Sequence, residues 1–156
     1  MITDELVGEI RKHYALNWAG IHGIAHFSRV RENGLRLAEA TGANARLVEL
    51  FAFLHDSRRR NDFFDPWHGA RAAKFVRSLE GRFFELTEPE LEQLEYACRF
   101  HAKGLLDADI TVRTCWDADR LDLGRVGKRP KPAKLCTDAA RDPAIIAWAY
   151  DRSRSK

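Results

Sequence analysis

The sequence has few of the features that mark secreted, disulfide-stabilised or membrane proteins. Its 156 residues include three cysteines, Cys98, Cys115 and Cys136, which are widely spaced and form no CxxC pair. A disulfide framework is therefore not expected, and a reducing compartment fits. No apolar run approaches the roughly 20 residues that span a bilayer, and the charged N-terminal segment lacks the apolar stretch of a signal peptide. We expect a cytoplasmic protein with no membrane partner.

A strong charge of either sign is also missing. The formal net charge is +3, and the densest basic clusters are RRR at 58–60 and GRVGKRPKPAK at 124–134. Domains that bind nucleic acid usually carry a larger basic excess, so no stable nucleic-acid complex is expected. A local site for a small anion explains these clusters better. The oligomeric state stays open.

Apolar residues make up 45% of the chain and charged residues 31%, a globular balance that predicts one domain over 1–156. No segment sustains the period-two alternation of a strand, whereas helical spacing of apolar residues recurs almost throughout. Thr3, Thr87 and Asp142 are predicted N-caps. The sequence predicts an all-α, compact bundle of six to eight helices. The predicted helices cover about 4–16, 23–40, 45–55, 66–79, 88–101, 111–121 and 143–150.

Several ionisable side chains fall where these helices are otherwise apolar or about to end. They are His26, His55, Asp56, His68, His101 and Asp117. Burying one such group costs several kcal/mol, of order 2–7, unless it is paired, so a shared cation would lower the cost for all of them. Imidazole and carboxylate ligands together favour Mn, Fe, Ni, Co or Zn over Mg. The sequence therefore predicts a divalent transition-metal site with one or two ions.

The order of these residues resembles a known pattern. His26, then His55-Asp56, then Asp117 reproduces the H…HD…D order of the HD superfamily of metal-dependent phosphohydrolases, and GIAHFSRV, FAFLHDSRR and CWDADRLDL are similar to its three motif segments. The resemblance covers about residues 20–123. It implies an HD-type helical fold and one metal with four ligands: His26, His55, Asp56 and Asp117. It also implies hydrolysis of phosphomonoesters or phosphodiesters, often of nucleotides. Our hypothesis for the mechanism is that Asp117 or Asp56 helps to orient and deprotonate a metal-bound water.

Two further histidines point to a second metal. PWHGARAA and FHAKG are similar to segments of the diadenosine-tetraphosphate hydrolase and cyclic-dinucleotide phosphodiesterase branches, which implies that His68 and His101 bind a second ion. The alternative is that His68 orients its neighbours and His101 binds phosphate. The chain lacks the GYP signature of the cyclic-dinucleotide branch, and SRRR follows the HD pair instead of an IGK-like segment. The substrate therefore stays open.

Basic and acidic residues near the motifs complete the predicted site. Arg58, Arg59 and Lys103 are candidate phosphate-binding residues, with one of the three arginines at 58–60 expected inside the site. Asp119 lies about 200° around the helix from Asp117, so with Asp117 as the ligand, Asp119 is predicted not to bind the metal.

Other side chains near the motifs have two interpretations each. His22 is either an exposed residue at the start of a helix, the interpretation we slightly favour, or a residue of the outer layer of the metal site. The aromatic residues Phe63, Phe64 and Trp67 are expected to pack in the core; the alternative is that one of them stacks on a base or lines the mouth of the pocket.

Three alternatives to a phosphohydrolase stay open at this point. A relative of the same fold can use a di-iron centre to oxidise its substrate. A non-catalytic module can bind a metal or a nucleotide without turning it over. A plain helical interaction domain can contain these residues incidentally. No P-loop or Ser/His/Asp arrangement competes, and the expected ligand is a small-molecule phosphate ester or nucleotide.

Overall fold

The computed structural model describes residues 2–155, and helices account for most of them. Eight α-helices follow one another: α1 (Asp4–Lys12), α2 (Ile24–Thr41), α3 (Ala45–Leu54), α4 (His68–Leu79), α5 (Glu88–Phe100), α6 (Ile110–Arg120), α7 (Asp138–Arg141) and α8 (Pro143–Arg154). Residues 2–155 contain no β-strand beyond an isolated bridge between Glu80 and Phe84. The prediction of an all-α bundle of six to eight helices is confirmed. None of the helices described is both long and apolar enough to cross a bilayer.

The helix starts follow the capping residues that the sequence predicts. The Thr3 hydroxyl accepts a hydrogen bond from the Leu6 N–H, Thr87 forms a capping box with Glu90, and the Asp142 carboxylate accepts from the Ala144 N–H. Each side-chain oxygen satisfies a backbone N–H that has no partner within its helix. α1 ends at Lys12, earlier than predicted, and turns follow it up to the start of α2.

The start of α4 differs from the sequence prediction. α4 begins at His68 rather than at residue 66, and no side-chain hydrogen bond caps it. Instead, the buried Asp65 carboxylate accepts a hydrogen bond from the Arg60 N–H at 2.7 Å and pairs with Arg71 Nη2 at 2.6 Å. These contacts fold the 58–67 segment back against α4 and shape the loop after α3.

α3 lies at the centre of the molecule, as its apolar surface predicts. Seven of its ten residues are buried: Leu47, Val48, Leu50, Phe51, Ala52, Phe53 and Leu54. α2 packs against both α3 and α6. Gly34 on α2 permits this approach, because a Cβ atom there would overlap Val48 and crowd Ala118. Since α3 ends inside the core, the residues that follow it are buried as well.

The helix pair with the most extensive packing is α4 with α5. Gly69, in the first turn of α4, lies against the end of α5, where a Cβ atom would come within 2.5 Å of the Arg99 carbonyl oxygen. Only glycine fits this contact. The contact brings His68, at the start of α4, next to His101, directly after α5.

The C-terminal part of the chain forms a smaller core of its own. Its buried residues are Leu37, Leu121, Leu135, Ala140, Ile146 and Ala149. The 124–132 segment contains no α-helix, as predicted, and two short 3₁₀ turns lie at its ends, at Leu123–Val126 and Pro132–Lys134. The four-residue α7 was not predicted, because so short an element leaves no periodic pattern in the sequence.

Candidate metal centre

Four side chains meet at the junction of α2, α3 and α6. His26 Nε2 lies 3.2 Å from His55 Nε2, 3.2 Å from Asp56 Oδ2 and 3.3 Å from Asp119 Oδ1. His55 Nε2 lies 3.2 Å from both carboxylate oxygens. Donor atoms that share a cation at about 2.0–2.2 Å lie roughly 3 Å apart. These four residues, the first cluster, can hold a metal ion.

A second cluster shares Asp56 with the first. Asp56 Oδ1 lies 3.2 Å from His101 Nε2 and 3.4 Å from His68 Nε2, and the two histidine nitrogens lie 2.9 Å apart. These three side chains can also hold a metal ion. Asp56 thus contributes one carboxylate oxygen to each cluster. The structure brings together His68 and His101, the pair that the sequence predicts for a second ion.

The hydrogen bonds of the four histidines fit metal binding. Every Nδ1 atom faces an acceptor, which leaves Nε2 without its proton and with a lone pair in the neutral ring. In chain order, the four acceptors are Asp122 Oδ2 and the carbonyl oxygens of Phe51, Asp65 and Cys98. Nε2 lone pairs that face one another repel unless a cation or a proton lies between them. The donor set therefore matches a cation-binding site.

Burial makes this requirement stronger. His26, His55 and Asp56 are at most 2% exposed. Burial alone would lower the pKa of His55, but the carboxylates of Asp56 and Asp119 outweigh it and raise that pKa to about 10. For Asp56, burial alone would raise the pKa, because it disfavours the charged carboxylate. His55 and the neighbouring histidines outweigh burial and hold the pKa of Asp56 well below its usual range. Without a metal, the first cluster therefore retains a proton at neutral pH.

Asp117 does not reach either cluster, which corrects the prediction that it is a ligand and a catalytic group. Its buried carboxylate accepts hydrogen bonds from the Cys136 N–H at 2.7 Å and from the Thr137 N–H and hydroxyl at 2.8 Å. Asp117 and Asp119 face different sides of α6, as their spacing predicts, but Asp119 is the one that faces His26 and His55.

Asp122 orients the first ligand. Its carboxylate accepts from His26 Nδ1 at 2.6 Å and from Arg29 Nε at 2.7 Å. The sequence does not predict the contact between Asp122 and His26, which lie 96 residues apart. A carboxylate behind a metal-binding histidine fixes the orientation of its ring and raises its basicity.

The candidate phosphate-binding residues separate into two places. Arg59 Nε lies 3.2 Å from Asp56 Oδ1, and Arg59 lines a cavity of about 230 Å³ together with Lys103 and His68. Arg58 is not part of this cavity. Its guanidinium lies over the Phe75 ring at 5.2 Å and lines a different groove with Arg60 and Arg71. Arg58 is therefore corrected to a position outside the site, and Arg59 is the arginine inside it.

Three aromatic side chains beside the second cluster are exposed. Phe63 is 87% exposed, Phe64 85% and Trp67 69%. Phe63 and Phe64 line the same cavity as His68 and Lys103. The expectation of core packing for these three residues is wrong. The side chain of Asn61 fixes this loop, because its Oδ1 accepts from the Phe63 N–H and its Nδ2 donates to the Phe64 carbonyl.

His22 is buried rather than exposed. It is 6% exposed, and its Nδ1 lies 2.8 Å from Asp62 Oδ1. Its ring lies 6.3 Å from the His26 ring, between centroids. The structure thus favours the outer-layer interpretation. No local sequence pattern indicates the Asp62 partner, which lies 40 residues away along the chain.

Comparisons with known proteins do not extend this description. No protein-family model, curated protein or solved structure matches the chain. The residues of the site therefore carry the functional interpretation alone.

Proposed function

We propose that this protein is a metal-dependent phosphohydrolase of the HD type that hydrolyses a phosphate ester, with nucleotides as the favoured substrate class. One observation carries the proposal: the Asp56 carboxylate joins two histidine clusters, with one oxygen facing each. Adjacent metal sites that share a ligand suit phosphoryl chemistry, because both the attacking and the leaving oxygen need charge stabilisation.

The resemblance to the HD superfamily supports this assignment in a revised form. His26, His55 and Asp56 keep the order and contacts that the motif implies. The final aspartate of the motif is Asp119 rather than Asp117. The all-α architecture, with His55-Asp56 directly after a buried central helix, is compatible with an HD-type fold.

The reaction assigns roles to residues of this chain. Water adds to phosphorus, the ester P–O bond breaks, and the leaving oxygen takes up a proton. A divalent cation bound by these ligands would make a water more acidic and offset charge on the phosphoryl oxygens. Asp119 is 15% exposed at its side chain, the most accessible of the first cluster, and its Oδ2 is the atom that we assign to take the proton from water. Arg59 and Lys103 supply positive charge to the phosphoryl oxygens.

The cavity beside the second cluster favours a nucleotide. It combines two exposed phenylalanine rings with the cationic side chains of Arg59 and Lys103. A base can stack on such rings, which contributes about 1–3 kcal/mol per base in proteins that bind single strands. An aliphatic phosphate ester would leave these rings without a partner.

The test is a hydrolysis assay on protein stripped of metal and reloaded with Mn, Co, Ni, Zn or Mg. The substrates are nucleotides, dinucleoside polyphosphates, cyclic dinucleotides and model diesters. We expect His55→Ala to lower kcat/KM at least about hundredfold, since it removes a ligand of the first cluster. The matched control is His13→Ala, which removes a histidine at the exposed end of α1. Equal turnover by wild type and His55→Ala would refute the proposal.

A di-iron oxidase is the second candidate, and the four-histidine set with a shared carboxylate favours it. Iron-loaded protein that consumes oxygen with an added substrate, and that hydrolyses no phosphate ester, would establish this candidate. Tight nucleotide binding without turnover under any metal would instead establish a non-catalytic module.

A further inference from the structure

A second cavity borders the metal centre on its His101 side. It encloses about 330 Å³, and His101 and Ala102 form one part of its wall. Ala102 also lines the cavity of about 230 Å³ that contains Phe63, Phe64 and Lys103, which we call the aromatic cavity. The two cavities therefore share a wall residue, and the histidines that line them, His68 and His101, have Nε2 atoms 2.9 Å apart.

The chemistry of this second cavity is basic. Three cationic side chains line it, Arg120, Lys131 and Lys134, and no acidic residue is among its lining residues. Arg120 donates hydrogen bonds to the carbonyl oxygens of Leu105 and Lys134 and to Cys136 Sγ, and its guanidinium lies over the Trp116 ring. None of these partners is a carboxylate. We call this cavity the basic pocket.

The wall of the basic pocket is held against the metal centre. The Asp117 carboxylate accepts hydrogen bonds from the backbone N–H groups of Cys136 and Thr137, two and three residues after Lys134. The same helix, α6, carries Asp119 two residues later. This arrangement couples the position of Lys134 to that of a ligand of the first cluster. It also gives a role to the GRVGKRPKPAK segment, which has none in the phosphohydrolase proposal.

We propose that the basic pocket binds a second phosphate group of the substrate, so that the preferred substrate carries at least one phosphate beyond the one hydrolysed. This inference rests on the proposed function for its chemistry. The aromatic cavity receives the base, the two clusters receive the reacting phosphoryl group, and the basic pocket receives the further phosphate. A nucleoside monophosphate fills only the first two places.

The double variant Lys131→Ala/Lys134→Ala tests the proposal. The matched control is Lys128→Ala, which removes an exposed lysine of the same segment that does not line the pocket. Both pocket lysines are exposed, so the fold is expected to survive, and a thermal unfolding curve checks this. The first readout is calorimetric binding of inorganic pyrophosphate to metal-free protein. We expect at least about tenfold weaker binding in the double variant, or 1.4 kcal/mol, and a change below twofold in the control.

The second readout is the KM of the metal-loaded protein for nucleoside diphosphates against monophosphates. We expect KM for the diphosphates to rise about tenfold in the double variant, while KM for the monophosphates stays unchanged. Hydrolysis with the same KM pattern in wild type and double variant would overturn the basic-pocket assignment and leave the phosphohydrolase proposal standing. Loss of pyrophosphate binding in the double variant, together with no hydrolysis by any form, would support the pocket and overturn the phosphohydrolase proposal.

Discussion

Asp117 and Asp119 lie on opposite sides of α6 and have the same carboxylate group, but they have different roles. Asp117 faces the C-terminal segment, where backbone N–H groups and a hydroxyl donate to it. Asp119 faces α2 and α3, where it meets the imidazoles of His26 and His55. The donors to Asp117 are N–H groups of the main chain, so this carboxylate anchors the C-terminal segment. Asp119 lies instead beside the Nε2 atoms of His26 and His55, which is the environment of a metal ligand. The partners, not the residue type, decide the role.

Exchanging the Asp119 carboxylate for an amide should have the largest effect. Asp119→Asn keeps the shape of the side chain but removes a charged oxygen ligand from the first cluster. We expect the affinity of that cluster for Mn²⁺ or Co²⁺ to fall at least about hundredfold, because even changes behind a ligand cost 10–100-fold. Isothermal titration calorimetry on metal-free protein measures this.

Two matched variants complete this experiment. Asp107→Asn removes an exposed aspartate from the loop before α6 and should leave the metal affinity unchanged. Asp117→Asn should also leave it within a few fold. Equal loss in Asp117→Asn and Asp119→Asn would contradict the division of roles between the two sides of α6.

Most of the site could be predicted because its residues break local patterns. His55-Asp56 interrupts the most apolar helix, and His26 stands where a buried residue is expected. The sequence also contains the information needed to choose Asp119 over Asp117. Asp119 lies three residues after Trp116, four after Cys115 and seven after Val112, and all three are buried. Helical spacing places Asp119 on that buried side. The family motif drew attention to the first aspartate of CWDADRLDL instead.

The remaining features depend on contacts between distant parts of the chain. The pairing of His22 with Asp62 and of His26 with Asp122 spans 40 and 96 residues. The exposure of Phe63 and Phe64 contradicts the general preference of phenylalanine for the core. Such features follow from how the loops fold over the bundle, which periodicity and capping signals do not encode.

Removing the charge of Asp117 should affect stability instead of metal binding. In Asp117→Asn, the amide NH₂ would face N–H groups of Cys136 or Thr137, and the charge-assisted hydrogen bonds would be lost. We expect the free energy of unfolding to fall by about 3 kcal/mol, measured by urea denaturation. The control is Asp138→Asn, whose side chain is fully exposed at the start of α7. Unchanged stability in Asp117→Asn would show that the C-terminal segment does not depend on this anchor.

The smallest expected effect is a pH dependence confined to the Asp119 side of α6. In the metal-free protein, burial opposes but Asp56 and Asp119 raise the pKa of His55 to about 10, against about 6.5 in the unfolded chain. The folded state therefore binds more protons than the unfolded state between these values. The stability that this proton provides is complete below about pH 6.5 and is lost as the pH rises toward 10.

Between pH 7 and 7.5, where the cysteine thiols of the unfolded chain, with a pKa of about 8.5, are mostly protonated, we expect the free energy of unfolding to fall at about 1.4 kcal/mol per pH unit for one such proton. Urea denaturation of protein treated with EDTA measures the slope. Asp119→Asn should flatten it, because one of the two carboxylates that hold the proton on His55 is gone. Asp117→Asn should lower the stability at both pH values and leave the slope as it is. A wild-type stability that rises with pH in this window would mean that His55 carries no such proton.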